Sequence, residues 1–287
     1  MHPLQKLNER TVIPSHFLPP DPPLSSLPDS PPSSPPSSPS FGLRHQHSVE
    51  DAVRNEETCS PKSAFICYIV MIIDCHTHKQ PPAPNAIIST SPIGFVASGD
   101  QMWAVGLHPW DLPLYCADNL RIKDEIWVEM VAAAASPYVA AIGECGIDLS
   151  HGGLLATQML AFRKQALLAE RLKKPLIIHA VKAHDIVVGM KKDLNPQMPW
   201  IIHGFRNKPT IAEIYLKAGC WLSFGEKFSP ESLDITPTDR LLAETDESAL
   251  PIEQIIMRLE ESAQKPLRDA IIANGRIFRQ PSSETSA

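Results

Sequence analysis

Six residues able to ligate a metal stand at the ends of apolar runs: His76 and His78 in IIDCHTH, Glu144 in AAIGECGID, His179 in PLIIHA, His203 in PWIIHGF and Asp246 in LLAETD. One histidine at a strand end is ordinarily a packed or solvated residue. The same pattern recurring along one chain delivers several donors to one rim of a sheet. His76 and His78 alternate with Thr77, so both imidazoles face one side and can grip one cation. Asp74, two residues earlier, can coordinate weakly or orient a histidine from behind it. Glu144 has two oxygens, enough to bridge a pair of cations, and His179 and His203 suit the second of them. Asp246 can hold the first and accept a proton from its water. Nitrogen and carboxylate donors without thiolate fit Mg, Mn or Zn. Two such cations ~4 Å apart polarise a phosphoryl oxygen and acidify water near neutral pH, which is hydrolytic chemistry.

Positioning those donors requires strands that end together. Apolar or β-branched runs predict eight strands, at 67–75, 86–90, 103–107, 139–144, 175–179, 200–203, 220–224 and 240–244. Apolar spacing of three and four predicts helices over 119–135, 154–173, 182–193, 208–218 and 251–264. Near-continuous apolar strands alternating with helices imply a parallel sheet covered by helices. With eight strands the expected fold is α/β, a (β/α)8 TIM-type barrel, whose reactive groups sit at the carboxyl ends of the strands. His76 and His78 then follow strand one, Glu144 ends strand four, His179 strand five, His203 strand six, and Asp246 follows strand eight. An open doubly wound sheet also fits the alternation, but only closure brings donors from the first and last strands together.

The 287 residues divide unevenly. Residues 19–40 read PPDPPLSSLPDSPPSSPPSSPS, too poor in apolar surface to offset ordering entropy, so residues 1–63 are expected to be a disordered Pro/Ser-rich extension. Residues 64–280 form the expected hydrolase barrel and 281–287 a tail. The first residues, MHPLQKLNERTVIP, lack the apolar core of a targeting peptide. Met71 stands directly before IIDCHTH, where a compact domain can begin. The run AFICYIVMII is ten residues long, against ~20 for a membrane span, and reads as a buried strand, so no membrane partner is expected. Six cysteines without a CxxC spacing read as reduced thiols of a cytoplasmic enzyme. Cys75 and Cys145 adjoin ligand candidates, but alternation points them to the opposite face. The formal charge of −6 argues against broad nonspecific binding to duplex DNA, so any nucleic-acid contact must be local to the site.

DCHTH at 74–78, GLHPW at 106–110, IGECGID at 142–148, PLIIHA at 175–180, IIHGF at 201–205 and ETD at 244–246 occur in the order found in the TatD-type metal-dependent deoxyribonucleases. The chain from residue 71 to about 279 resembles that family, which lies within the amidohydrolase-like barrels. The resemblance implies a two-metal-ion hydrolase cleaving DNA phosphodiester bonds, with single-stranded DNA or 3′ ends as the partner and 3′–5′ exonuclease action as one form. It carries His76, His78, Glu144 and Asp246 to the first metal, and Glu144, His179 and His203 to the second, with Glu144 and Asp246 as the catalytic carboxylates. Two departures stand out. Only 27 residues separate His78 from GLHP, so the first barrel helix is expected to be missing or shortened. The proline usual after the ETD aspartate is replaced, giving ETDES.

Other residues near these motifs have open readings. His108 is either a rim residue packed by Pro109 and Trp110 or a substrate contact. Asp148 orients a ligand or caps the following helix, while His151 and His184 read as surface residues. Among Lys182, Arg206, Lys208 and Lys227, in loops after strands five to seven, Arg206 suits phosphate best because a guanidinium matches it in bidentate geometry. Arg206, Lys182 and His108 make up the expected substrate contacts. Two other functions use the same residues: an amidohydrolase acting on a small amide or lactone, and a noncatalytic metal-binding scaffold. Glu144 stands where many amidohydrolases carry a bridging modified lysine.

Overall fold

Ile87, Ala104, Ala141, Ile177, Ile201 and Leu242 form one buried cluster, while their strand neighbours Val105, Ile142, Ile178, Ile202 and Leu241 belong to a second, larger one. Period-two alternation in strands buried on both faces divides the core in this way. The computed structural model describes residues 74–79, 85–98, 101–117 and 121–278. Its strands are β1 (Asp74–Thr77), β2 (Ala86–Thr90), β3 (Met102–Val105), β4 (Cys116–Ala117), β5 (Arg121–Ile122), β6 (Val139–Asp148), β7 (Leu176–Val181), β8 (Trp200–Ile202), β9 (Trp221–Phe224) and β10 (Leu241–Ala243). All but β4 and β5 make one eight-stranded sheet in the order β1-β2-β3-β6-β7-β8-β9-β10, with every pair parallel.

Closure occurs just past the last strand. The Asp246 N–H donates to the His76 carbonyl at 2.9 Å and the His78 N–H to the Asp246 carbonyl at 3.2 Å, so Thr77 and Asp246 pair as a parallel bridge. Asp74 reinforces the seam, accepting from the Thr245 N–H at 2.9 Å and hydroxyl at 2.7 Å. Its carboxyl is pushed up to about 7 by burial, against the pull of the Thr245 hydrogen bonds. Asp74 therefore braces the backbone that carries Asp246 and orients no histidine ring.

The helices are α1 (Leu112–Tyr115), α2 (Asp124–Ala134), α3 (Leu155–Leu172), α4 (His184–Leu194), α5 (Pro209–Lys217), α6 (Pro230–Asp234), α7 (Ile252–Ala263) and α8 (Arg268–Asn274). Among the described residues no helix lies between β1 and β2, in keeping with the shortened first connection. The helix expected over 119–135 starts only at Asp124, because an antiparallel β4–β5 pair takes up the chain before it. Helix α3 stops where Lys173 turns left-handed at φ 54°, just before Pro175 opens β7. Its inner face carries Ala161, Phe162 and Ala166, but also two buried glutamines. Gln165 Oε1 accepts from the Leu107 N–H at 2.7 Å and its amide donates to the Leu107 carbonyl at 3.2 Å. Gln158 does the same for Asp148, at 2.8 and 3.1 Å. One helix thus fixes the ends of β3 and β6.

Several expectations fall on residues outside the described set: the extension at 1–63, the start of the first strand at 67–73, the possible beginning at Met71 and the tail at 281–287. No described helix is long and apolar enough to cross a membrane.

Candidate metal centre

Glu144 is 6% exposed and its two oxygens divide the histidines between them. Oε2 lies 3.3 Å from Nε2 of both His76 and His78. Oε1 lies 2.8 Å from His179 Nδ1, 2.7 Å from His203 Nε2 and 3.2 Å from His108 Nε2. Asp246 Oδ1 stands 3.8 Å from His76 Nε2 and 3.9 Å from His78 Nε2. All six residues read from the sequence as ligands thus meet around one carboxylate, from three strands and three strand-following segments.

Glu144 and His179 do not end their strands as expected. β6 runs on to Asp148 and β7 to Val181, and the β6–β7 register shifts between Ile142 and Cys145. Glycine makes that irregular course possible. A Cβ on Gly146, at φ 153°, would stand 1.9 Å from the His179 carbonyl oxygen, a distance no other side chain tolerates. Glu144 is thereby delivered from within a strand.

Burial alone would raise the Glu144 carboxyl, but the His203 charge and hydrogen bonds from His108, His179 and His203 outweigh it and hold the group well below the usual carboxylate range. Burial disfavours charge on His203 too, yet Glu144 and Glu244 push its imidazole well above the ordinary histidine value. The hydrogen bond to Glu144 likewise raises His78. Behind this ring stand two carboxylates. Asp148 Oδ2 is 3.1 Å from His179 Nε2, and Glu244 Oε1 is 3.3 Å from His203 Nδ1 while accepting from the Gly204 N–H at 2.6 Å. Burial opposes charge on Asp148, but donors from Trp110, His179, Ser150 and His151 keep its carboxyl low. Asp148 thus both orients an imidazole and, through Oδ1, organises the turn at Ser150 and His151.

Whether these residues suit a cation can be judged from His76. Its ring is fully buried, and neither nitrogen has a hydrogen-bond partner among the described residues. Its Nε2 faces the Glu144 and Asp246 carboxylates without hydrogen-bonding to either, and a buried imidazole without a hydrogen bond is costly unless a cation takes its lone pair. Three donor sets have ligating atoms within 4.8 Å of one another: His76, His78 and Glu144; His76, His203 and Asp246; and His108, Glu144 and His179. The donors are nitrogen and carboxylate, as hard and borderline divalent cations prefer. Cys75 and Cys145 belong to none of these sets. Cys75 Sγ instead meets the Ser223 hydroxyl at 3.0 Å, and Cys145 Sγ approaches the Ile177 carbonyl at 3.7 Å.

His108 joins the donor cluster through Glu144, with Trp110 packed on its ring. Lys182 and Arg206 are exposed and make no ion pair or side-chain hydrogen bond among the described residues. Nothing joins either to the cluster. His151 is largely exposed, and His184 lies at the start of α4 beside Asp185. In the altered ETDES segment, Ser248 donates to Glu226 at 2.6 Å. Sequence reasoning missed the supports: Glu244, Gln158 and Gln165. The glutamines had a readable signal, being polar residues seven apart on the apolar face of a predicted helix.

A model of the family described as TatD related DNase matches residues 96–261. The uncharacterized metal-dependent hydrolase YabD of Bacillus subtilis is 32% identical over 152 residues, which cover 50% of this chain and 57% of that protein. A protein of Cronobacter turicensis named 3′-5′ ssDNA/RNA exonuclease TatD is 31% identical over 151 residues, covering 49% and 55%. The chain therefore matches somewhat over half the length of these curated relatives. Among solved structures, YjjV, a TatD homolog from Escherichia coli K12, superposes with a TM-score of 0.59 at 19% identity, over 74% of this chain and 98% of that one. A TatD family hydrolase from Entamoeba histolytica gives 0.58 at 14%. These two likenesses bear on the fold.

Proposed function

From the premise that the chain belongs to the TatD-related DNase family, we propose that it is a divalent-metal-dependent hydrolase of phosphodiester bonds in single-stranded DNA, releasing nucleotides from a 3′ end. The observation that carries this reading is the division of Glu144, one oxygen facing His76 and His78 and the other facing His179 and His203. In that arrangement His76, His78, Glu144 and Asp246 would hold one cation, and Glu144, His179 and His203 would hold a second. Mg, Mn or Zn bound there would supply Lewis acidity toward a phosphoryl oxygen and would acidify water.

The remaining work falls to the protein's own groups. Glu144 is buried and surrounded by imidazoles, so it is poorly placed to exchange protons with solvent. The Asp246 side chain is 40% exposed, and its backbone is left-handed at φ 50°. It is the carboxylate placed to take a proton from the water that attacks phosphorus as the P–O bond to the leaving sugar breaks. Asp148 and Glu244 hold His179 and His203 at fixed orientations throughout. The exonuclease name of the Cronobacter relative supports the choice of substrate. Arg206 and Lys182 are proposed as outer contacts to the nucleic-acid backbone, where an exposed cation adds little alone.

The competing reading, an amidohydrolase acting on a small amide or lactone, uses the same barrel rim. Offering purified protein single-stranded DNA and a panel of small amides and lactones under one metal condition separates the two. Nucleotide release without amide or lactone cleavage is expected. The opposite result would replace the proposal.

A further inference from the structure

Among the described residues, Trp110 is the one tryptophan, tyrosine or phenylalanine that is exposed. It is 54% exposed and lies at the edge of the donor cluster, its ring centroid 4.9 Å from His108 and 5.7 Å from His179. It is also held still. The indole N–H donates to Asp148 Oδ2 at 2.8 Å, the same oxygen that meets His179, and its backbone N–H donates to His108 Nδ1 at 3.2 Å. Pro109 precedes it in the loop fixed by Gln165. A large apolar ring exposed in a fixed pose, next to the donor cluster, loses little conformational entropy when a flat partner covers it.

We infer that Trp110 is the surface on which a nucleobase of the substrate stacks, so that the site recognises single-stranded nucleic acid by a base as well as by its phosphate. The inference rests on the phosphodiesterase reading above. Every base has a π face, so one such platform favours single strands over duplex, whose bases are already stacked, without imposing sequence preference. With the ring beside His179, the stacked base belongs to the nucleotide whose phosphodiester lies at the donor cluster, or to its immediate neighbour.

A cycle of protein and substrate changes tests this. The full chain, in Mn, is given single-stranded oligonucleotides with an intact 3′ end or with the base removed at the last or next-to-last nucleotide, and kcat/KM for the first cleavage is measured. Wild type is expected to prefer the intact end over one of the abasic ends by about tenfold, the scale of one base–aromatic stack. Trp110→Phe keeps a ring but loses the N–H, and should retain most of that preference. Trp110→Ala should abolish that preference, slowing the intact end by about tenfold more than the abasic end. Equal slowing of intact and abasic ends by Trp110→Ala would overturn the inference, because the ring would then act only through Asp148 and His179. So would a wild type indifferent to base removal. A wild type that cleaves none of the oligonucleotides in Mn, Mg or Zn contradicts the phosphodiesterase reading itself, a result distinct from either.

Discussion

Glu144 is a buried anion facing five imidazoles with two oxygens, and its environment explains why it stays charged. Two of the histidines have their other nitrogen held by a further carboxylate, Asp148 behind His179 and Glu244 behind His203. Replacing Glu144 by glutamine keeps the size and removes the charge that the imidazoles share. Glu144→Gln should lower nucleotide release by about 100-fold or more, since even outer partners of a metal ligand cost 10- to 100-fold. The same variant should lose bound metal on elemental analysis while its circular dichroism stays that of wild type. Wild-type activity in that folded variant would remove Glu144 from the reaction. The ligand candidates were legible from residue type because each closes an apolar run. Glu244 was legible only as part of ETD, since nothing in its type or spacing says that it reaches His203 across the barrel.

At the scale of elements, helix α3 does most to place the site, through hydrogen bonds made inside the apolar interface. Gln165 satisfies both backbone groups of Leu107, next to His108. Gln165→Leu would leave a buried N–H and C=O unpaired, each costing about 1–3 kcal/mol, so urea melts should show a loss of about 2 kcal/mol or more, and an unchanged midpoint would refute the role. Lys174, at the end of the same connection, is 3% exposed and donates to the carbonyls of Ala134 and Ser136 at the end of α2. Burial lowers its ammonium from 10.5 to about 8. Because the folded protein releases this proton more readily than the unfolded chain, the contribution is full above 10.5 and is lost as pH falls through 8. The stability difference between wild type and Lys174→Met should therefore shift toward wild type as pH rises from 8 to 10.5. The buried thiols that also titrate there are common to both proteins, and a difference flat with pH would contradict the assignment. Seven of the eight barrel strands and five helices lie where apolar periodicity places them, within a few residues. Periodicity missed the extension of β6 beyond Glu144, because that strand's course is set by Gly143 and Gly146 lying against β7, and glycine reads from sequence as a break. It missed β4, β5, α1, α6 and α8 because two- to seven-residue elements carry too few periods.

Across the whole molecule, barrel closure joins the beginning of the fold to its end. His76 and His78 precede Asp246 by most of the domain, and backbone hydrogen bonds between those segments bring them within 4 Å of one another. Every barrel strand as described lies between Asp74 and Ala243. A chain beginning at Met71 should accordingly fold and keep the metal-binding stoichiometry of the full chain; loss of soluble protein on that truncation would show that earlier residues are needed. The fold class was readable because closure alone can unite donors from first and last strands. Trp110, by contrast, reads from the sequence as a packing residue until its exposure is seen. The claim on which everything else depends is that the cluster around Glu144 works on phosphodiesters through bound metal. End-labelled single-stranded DNA, incubated with purified full-length protein before chelation, after chelation and after return of Mg, Mn or Zn, measures it directly. Shortening from the 3′ end that stops with chelator and resumes with one of the three metals is predicted. Shortening that continues undiminished in chelator, or intact DNA under every metal, would contradict it.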